Sequence, residues 1–380
     1  MKSIIKNFLV KYKIYLYYIF IDNFVLKFKV KKSGKFQAKT NQILLIQNDL
    51  IGDYIIFRNF IQEIANDKCY MNKEITFVGN VAFKQIAEEL DKAFIKRFIW
   101  VDRNRFVKDI KYRIEKLNEV CDTNYETVIN PKCTIRAVYT EIIVKMAIAK
   151  EKIGIYGDFS LGWKQAEKYY TKMYKMNEGM EFEFIRFKNF FEFVLDKKID
   201  LKKPEIIISK SKGNEKYICF GIGASAAFRK WGIDNFKKLG EELFEKYGYE
   251  IVLIGGKGEI TESLEFENSC NCKIRNLVGK TTLIEAIQVI EGSEFVVSND
   301  TSTYHMAVAL NKKVFVVSNG NHLYRFLPYP KEVYSDNYVI FPKELYELDL
   351  TLYQKNLFAS ELDINKISVD EVYTTIIQNI

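Results

Sequence analysis

A polar loop near residue 300 carries side chains that could bind an anion. It separates the apolar runs 295–298 and 306–310, which predict a buried strand followed by a helix. Its hydroxyl and titratable side chains are Asp300, Thr301, Ser302, Thr303 and His305. The free N–H groups at the start of such a helix attract a phosphate. A helix N-cap at Asp300 or Thr301 would explain the same residue types without a ligand, so both interpretations stay open at this point.

A loop of mostly small residues follows the predicted strand 217–221. Its members are Gly221, Ile222, Gly223, Ala224 and Ser225. Small residues allow backbone N–H groups to approach phosphate oxygens, and Lys230 adds a positive charge before the next helix. The alternative is a flexible loop that carries two solvated cations, Arg229 and Lys230.

The loop at 47–53 ends in Gly52 and Asp53, just where a helix is predicted to begin. Asp53 could serve as a general base, or it could simply stabilise the positive end of the helix dipole. The loop contains a single glycine and lacks G-x-G-x-x-G, which argues against a nicotinamide or flavin dinucleotide site.

Several other chemistries lack the residues they need. Neither His305 nor His322 stands at metal-ligand spacing from acidic residues, so no metal and no cofactor is predicted. Neither a P-loop nor a G-x-S-x-G motif is present. The six cysteines are scattered, and the one close pair, Cys270 and Cys272, has no second pair nearby for zinc. This cysteine usage favours a reducing, cytoplasmic compartment.

Short apolar strands alternate with helical segments along most of the chain, which predicts parallel sheets covered on both faces. Strands are predicted at 43–46, 75–78, 98–101, 127–129, 152–155, 217–221, 251–254, 274–277, 295–298 and 314–318. Helices are predicted at 53–65, 82–90, 107–120, 135–149, 233–247, 259–268, 283–291 and 369–377, and residues 157–200 are predicted to be mostly helical.

The excess positive charge lies at the N-terminus. Residues 1–36 contain nine lysines and one aspartate, which accounts for the whole formal net charge of +8. A nucleic-acid partner is not predicted, because its binding surface would place positive charge on the folded body. Lysines mixed with apolar and aromatic residues at helical spacing predict an amphipathic helix on an anionic membrane surface. An N-terminal helix packed on the protein body is the alternative.

These segments, in this order, resemble glycosyltransferase family 9, the heptosyltransferase-like enzymes of lipopolysaccharide core assembly. The resemblance covers about residues 42–325. Its carriers are the strand 43–46 with Gly52-Asp53, the loop 221–225 with Arg229-Lys230-Trp231, residues 253–256, residues 277–283, and Ser298-Asn299-Asp300-Thr301 with His305. Ser302 departs from the family's usual glycine, and Asn48 and Asp49 replace small hydroxyl residues.

The resemblance implies an α/β fold of GT-B architecture, in which two Rossmann-like domains face each other across a cleft. The expected divisions are 1–40 as a basic amphipathic extension, 41–200 as the acceptor domain, 201–215 as a linker, 216–345 as the donor domain, and 346–380 as a tail with a helix. The implied activity is inverting, metal-independent transfer of a sugar, typically heptose from ADP-heptose, onto lipopolysaccharide core or a similar lipid-linked saccharide.

The resemblance also implies roles for single residues. Asp53 corresponds to the catalytic base, and Lys230 to the lysine that neutralises the diphosphate leaving group. The implied donor-binding residues are Gly221, Gly223, Ala224, Ser225, Lys230, Glu259, Asp300, Thr301, Ser302 and His305. Gly52 and Arg136 are the implied acceptor-binding residues.

The sequence therefore predicts a cytoplasmic glycosyltransferase bound peripherally to the inner membrane. The alternatives are an enzyme of the same fold that uses another nucleotide sugar, as a transferase or an epimerase, and a catalytically silent nucleotide-binding module.

Overall fold

The computed structural model describes residues 20–31, 40–132, 140–156, 167–176, 181–209, 215–347, 360 and 362–380. Its strands are β1 (Gln42–Gln47), β2 (Glu74–Asn80), β3 (Arg97–Val101), β4 (Asn124–Ile129), β5 (Ile148–Ile155), β6 (Lys172–Tyr174), β7 (Tyr217–Gly221), β8 (Glu250–Ile254), β9 (Ile274–Asn276), β10 (Val296–Asn299), β11 (Val314–Val317) and β12 (Asn337–Ile340).

The described chain also forms α-helices before, between and after these strands. They are α1 (Leu26–Lys29), α2 (Ile51–Phe57), α3 (Asn59–Ala65), α4 (Lys84–Leu90), α5 (Arg103–Lys108), α6 (Ile110–Cys121), α7 (Glu141–Met146), α8 (Glu183–Leu195), α9 (Ile233–Tyr247), α10 (Ile260–Ser269), α11 (Leu283–Gly292), α12 (Ser302–Ala309) and α13 (Val369–Asn379). A π-helical turn, Ile21–Val25, precedes α1.

The chain divides into two compact units. The first contains the described residues up to Leu50, those from Phe60 to position 176, and Phe187–Ile199. The second contains Ile51–Asn59, the described residues from position 181 to Arg186, and those from Asp200 to Ile380. Helix α2, with Gly52 and Asp53, therefore belongs to the second unit.

Each unit is built on its own parallel sheet. In the first unit the strand order is β3-β2-β1-β4-β5-β6, and in the second it is β12-β11-β10-β7-β8-β9. The order reverses between β1 and β4 in one sheet and between β7 and β10 in the other. In open parallel sheets such a reversal leaves a crevice beyond the carboxyl ends of the two strands, where ligands bind.

Apolar periodicity explains the helices that cover the second sheet. Phe236, Leu239 and Leu243 recur along α9 and lie in one hydrophobic cluster with Phe220 and Leu253 of the sheet. Gly248, at φ 68°, ends α9 in the left-handed conformation that suits glycine. At the other end of the chain, Ser368 and Glu371 form a capping box that starts α13.

Several predicted elements differ from the structure. The helix expected at 53–65 is two helices that meet at Arg58, and the one expected at 107–120 is interrupted at Asp109, which caps α6. The helix expected at 135–149 ends before residues 148 and 149, which belong to β5 and pair with β4. Residues 135–139 of that prediction lie outside the described residues. Cys270 and Cys272 form a disulfide with Cα atoms 5.5 Å apart, which the scattered spacing of the cysteines did not predict.

The N-terminal extension is described only at residues 20–31. Ile21, Leu26 and Val30 are buried in a hydrophobic cluster of the first unit. In the part of the chain that the structure describes, no helix is long and apolar enough to cross a membrane.

Candidate functional site

The second unit places two of the predicted loops side by side beyond its sheet. Strands β7 and β10 are neighbours, with Gly221 opposite Ser298, so the loops that follow them emerge together. A Cβ atom added to Gly221 would stand 2.8 Å from Cγ2 of Thr303, so only glycine fits beneath the first turn of α12. The predicted loops at 221–230 and 298–305 are therefore one site in space.

Asn299, for which no separate role was predicted, joins these two loops. Its side chain is fully buried. Nδ2 donates to the carbonyl oxygens of Ile222 at 3.0 Å and Gly223 at 3.2 Å, and Oδ1 accepts from the backbone N–H of Trp231 at 3.0 Å. An asparagine at a strand end is the available sequence signal, because it can satisfy donors and acceptors of a neighbouring loop at once.

Arg229 and Asp300 form a buried ion pair within this site. Nη2 of Arg229 also donates to the carbonyl oxygen of Asp300 at 2.7 Å, while Nη1 donates to Ser225 Oγ at 3.0 Å. Burial raises the pKa of the Asp300 carboxyl, and the charge of Arg229 opposes that rise. Asp300 is a predicted donor contact. In this structure its carboxylate binds Arg229, for which no site role was predicted.

Lys230 lies among carboxylates. Its Nζ donates to Glu262 Oε2 at 2.5 Å and stands 3.9 Å from Glu259 Oε1. Glu259 in turn accepts from the N–H of Gly256 at 2.9 Å. A Cβ atom on Gly223 would stand 3.2 Å from Glu259 Cδ, so the glutamate packs on the small-residue loop. Lys230, Glu259 and Gly223, which are all predicted donor-binding residues, thus lie close together, and Glu262, for which no role was predicted, lies with them.

The start of α12 is capped by Thr301. The Thr301 side chain accepts from the N–H of Thr303 at 3.3 Å, and the helix runs from Ser302 to Ala309. Ser302 and Thr303 are both half-buried in its first turn. The helix predicted after this loop thus begins at Ser302, and of the two predicted N-cap candidates the cap is Thr301 and not Asp300.

His305 is buried on α12 beside Tyr329. Its Nδ1 lies 3.0 Å from the Tyr329 hydroxyl. Burial, with a smaller contribution from the charge of Arg229, lowers the pKa of His305 to about 3. The ring is therefore neutral at physiological pH, and it acts by hydrogen bonding and shape.

Helix α2 packs closely on α12 within the second unit. A Cβ atom on Gly52 would stand 2.8 Å from His305 Cδ2 and 3.7 Å from the Cα atom of Ser302. Asp53 follows in the first turn of α2 and is half-buried. The predicted base and the predicted donor loop therefore belong to one unit. Arg136 lies outside the described residues.

Comparison with known proteins gives the family. Residues 115–338 match the model of glycosyltransferase family 9 (heptosyltransferase), which is more than half of the chain. The chain belongs to glycosyltransferase family 9.

Individual members of the family show how far the similarity extends. Lipopolysaccharide heptosyltransferase 2 of Escherichia coli is 30% identical over 135 residues, which cover 30% of this chain and 38% of that protein. The chain thus matches well under half the length of this curated relative.

Solved structures share the fold. A family 9 glycosyl transferase from Veillonella parvula has a TM-score of 0.69 at 16% identity and covers 90% of this chain and 98% of its own. The E. coli heptosyltransferase WaaC with ADP-2-deoxy-2-fluoro heptose has a TM-score of 0.68 at 17% identity and covers 89% of this chain and all of its own. The predicted α/β fold of the GT-B class is confirmed.

This family 9 chain has a second polar cluster, at the strand-order reversal of the first sheet. Asp49, after β1, forms an ion pair with Lys132, after β4, and its Oδ1 lies 3.6 Å from Arg103 Nη1. Asn80, the last residue of β2, donates to the carbonyl oxygen of Asp49 at 2.8 Å. Residues at or just beyond the ends of three neighbouring strands therefore converge at one place.

Two side chains of this part of the first unit are buried with unsatisfied polar atoms. Asn48 is fully buried, and neither amide atom has a hydrogen-bond partner among the described residues. Glu141, in the first turn of α7, has one carboxyl oxygen equally without a partner in the described chain. Burial raises the pKa of Glu141 to about 7, although the charge of Lys132 opposes the rise.

No role was predicted for Lys132 or Glu141. A carboxyl in an apolar helix has no distinctive spacing, so little in the sequence could have singled it out. Within the described residues, no group of three or more His, Cys, Asp or Glu side chains is placed to hold a metal ion.

Proposed function

We propose that the protein is an inverting, metal-independent glycosyltransferase that moves a heptose from ADP-heptose onto a lipopolysaccharide core or a similar lipid-linked saccharide. One observation carries the proposal: a lysine, Lys230, and the start of α12 lie at the carboxyl ends of adjacent strands in a family 9 fold. The fluoro-heptose complex of the E. coli relative supports the choice of donor.

The leaving group explains the need for these two features. When the bond between the anomeric carbon and the diphosphate oxygen breaks, the electron pair leaves with the diphosphate, which gains negative charge. Lys230 supplies a positive charge for that oxygen, and the free N–H groups at the start of α12 supply oriented dipoles. Gly221, Gly223, Ala224 and Ser225 would let the backbone approach the phosphates, and Thr301, Ser302 and His305 would line the donor from α12.

Asp53 is the proposed base. Its carboxylate would accept the proton of an acceptor hydroxyl while that oxygen attacks the anomeric carbon from the face opposite the diphosphate, which inverts the configuration. Asp53 lies in the first turn of α2, where the helix dipole interacts favourably with a negative charge.

The remaining proposed contacts concern the nucleotide and the acceptor. Glu259, which is held by the Gly256 N–H, would contact the donor ribose. Gly52 and Arg136 stay proposed acceptor residues. In the first unit, Asp49 keeps part of its carboxylate in solvent and adds a polar group to which an acceptor saccharide would hydrogen-bond.

We also propose that the reaction takes place at the cytoplasmic face of the inner membrane. A lipid-linked acceptor would be held there, and the positive charge of residues 1–36 would favour an anionic surface.

The exchange of Asp53 for asparagine tests the base. Asp53→Asn should lower kcat roughly 10²- to 10⁴-fold and leave the Kd for ADP unchanged, because only proton transfer is removed. Asp234→Asn is the matched control, since Asp234 also lies in the first turn of a helix of the second unit. Activity that survives in Asp53→Asn would show that another group is the base.

The exchange of Lys230 for alanine tests the phosphate site, and a panel of ligands distinguishes the proposed transferase from the alternative functions. Lys230→Ala should weaken ADP binding in a thermal-shift titration, whereas Lys238→Ala, an exposed change on α9, should not. A panel of nucleoside diphosphates and sugar nucleotides identifies the donor. Stabilisation by a uridine nucleotide alone would favour another nucleotide-sugar enzyme, and binding without turnover would favour a silent module.

A further inference from the structure

Three phenylalanines of the N-terminal segment are exposed together. The exposed fractions of Phe20, Phe24 and Phe28 are 58%, 60% and 75%. They recur every fourth residue along the continuous helical stretch that runs from the π-helical turn into α1, so they share one side of it. The rings of Phe20 and Phe24 stack with centroids 5.2 Å apart. These three residues are called the phenylalanine face.

The opposite side of the same segment is fixed to the protein. Ile21, Leu26 and Val30 are buried in the hydrophobic cluster of the first unit, and the Lys31 N–H donates to Asn118 Oδ1 of α6 at 2.7 Å. The segment is therefore anchored by one side, while the phenylalanine face points to solvent. The two sequence interpretations, packing on the body and binding a membrane, are compatible.

We propose that the phenylalanine face inserts into the surface of an anionic phospholipid membrane. Lys27, Lys29 and Lys31 are exposed in the same twelve residues, and residues 1–36 carry the whole net charge of +8. A basic helix with a large apolar side lies in the plane of the lipid headgroups, with its apolar side in the acyl boundary and its cations at the lipid phosphates.

The composition favours lipid over nucleic acid. Residues 1–36 contain no arginine, the residue that most often reads bases and stacks on them. Phe20 and Phe24 stack on each other, which removes ring faces from contact with bases. Phenylalanine beside lysine instead suits an interface that is apolar on one side and anionic on the other. The inference deepens the proposed site of action and does not depend on the transfer reaction.

Co-sedimentation of the full chain with phospholipid vesicles tests the proposal. Vesicles in which roughly 3 in 10 lipids are phosphatidylglycerol and the rest are phosphatidylcholine should bind the protein. Vesicles of pure phosphatidylcholine should bind it weakly. Phe20→Ser, Phe24→Ser and Phe28→Ser combined should lower the partition coefficient roughly 100-fold, since three apolar side chains no longer leave water.

A matched control removes as many exposed apolar side chains elsewhere. Met71→Ser, Ile207→Ser and Leu264→Ser combined should bind vesicles like the natural protein, because these side chains are exposed but lie far along the chain from the phenylalanine face.

The lysines of the segment test the role of charge. Lys27→Gln, Lys29→Gln and Lys31→Gln combined should weaken binding to anionic vesicles roughly fivefold per lysine and leave binding to phosphatidylcholine unchanged. The same exchange at the exposed Lys92, Lys238 and Lys331 should have a much smaller effect.

Insertion has its own readout. A Phe24→Trp variant should show fluorescence that shifts to shorter wavelength on vesicles and is quenched by lipids brominated in the acyl chain.

The proposal is overturned if the triple phenylalanine variant binds vesicles normally, or if the matched control loses binding equally. It is also overturned if the natural protein is a dimer in analytical ultracentrifugation and the triple phenylalanine variant is a monomer that still binds vesicles. An unchanged thermal shift with ADP shows that the variants are folded and that the donor site is a separate question.

Discussion

Gly52 packs against the imidazole of His305, so that a Cβ atom on Gly52 would stand 2.8 Å from His305 Cδ2. This contact joins the helix that carries the proposed base to the helix that carries the proposed donor loop. The glycine before Asp53 thus has a packing role, and the position of Asp53 depends on the position of α12.

Gly52→Ala tests this coupling. Because the ring is buried and belongs to a helix, α2 and α12 must move apart, and we expect a loss of about 1–3 kcal/mol in the free energy of unfolding. kcat should fall as well, because Asp53 moves relative to the donor loop. Urea unfolding and steady-state kinetics measure the two effects.

Gly258→Ala is the control for this change, since a Cβ atom there would have no atom within 4 Å. It should be neutral or stabilising by up to about 1 kcal/mol. Equal effects of the two alanines would contradict the packing role of Gly52.

The Arg229–Asp300 pair predicts a large stability effect. Arg229→Met leaves a buried carboxylate without its cation, which we expect to cost about 3 kcal/mol, at the lower end for buried pairs because Arg229 keeps some solvent contact. Arg229→Met combined with Asp300→Asn should recover part of that loss, because the second change removes the buried charge. Chemical denaturation of the two single variants and the double variant measures the coupling.

The exposed pair of Lys273 and Glu215 serves as the comparison. Lys273→Met should change the stability little, because both side chains stay in solvent. A double variant at 229 and 300 that is no more stable than Arg229→Met would argue that Asp300 does not require its cation.

The sequence predicted the long apolar elements of each unit better than two of the four short edge strands. The bounds of β7 and α9 were predicted as the structure has them, because an uninterrupted apolar run and a regular apolar stripe are local signals. Strands β6 and β12, of three and four residues, were not predicted. They lie at the sheet edges and are only partly buried, so they depend on pairing with β5 and β11 more than on their own residues.

The residues of the candidate site also differ in how far the sequence alone could identify them. Motifs next to predicted strands located Lys230, Thr301 and His305, because the end of a parallel strand is visible in the sequence. The partners Asn299, Arg229 and Glu262 were not predicted, because each acts through a contact with a residue distant in the chain. Grouping α2 with the second unit also depends on such contacts.

Glu141 predicts a pH dependence of stability. Its pKa is raised from 4.5 to about 7 in the folded protein, so between these values the folded state keeps a proton that the unfolded state loses. Stability should therefore fall as pH rises from about 4.5 to about 7, by roughly 3 kcal/mol in total from this group. Glu141→Gln should remove that fall and be more stable than the natural protein at pH 8, but no more stable at pH 4.5.

Urea unfolding at several pH values measures the Glu141 contribution. Glu89→Gln, an exposed change on α4, controls for the loss of one negative charge and should leave the slope in place. If Glu141→Gln and the natural protein lose stability in parallel over this range, the carboxyl is not buried as the structure has it.

Glu259 and Glu262 should affect nucleotide binding in opposite directions, although both face Lys230. Glu262 binds Lys230 Nζ at 2.5 Å and competes with a diphosphate for the same cation. The pair is partly exposed and worth roughly 0.2–1 kcal/mol, so Glu262→Gln should tighten ADP binding by up to about fivefold. Glu259→Gln should weaken it instead, because the proposed ribose contact loses its charge. Isothermal titration with ADP measures both, and weaker binding in Glu262→Gln would make Glu262 part of the nucleotide site and not a competitor for its lysine.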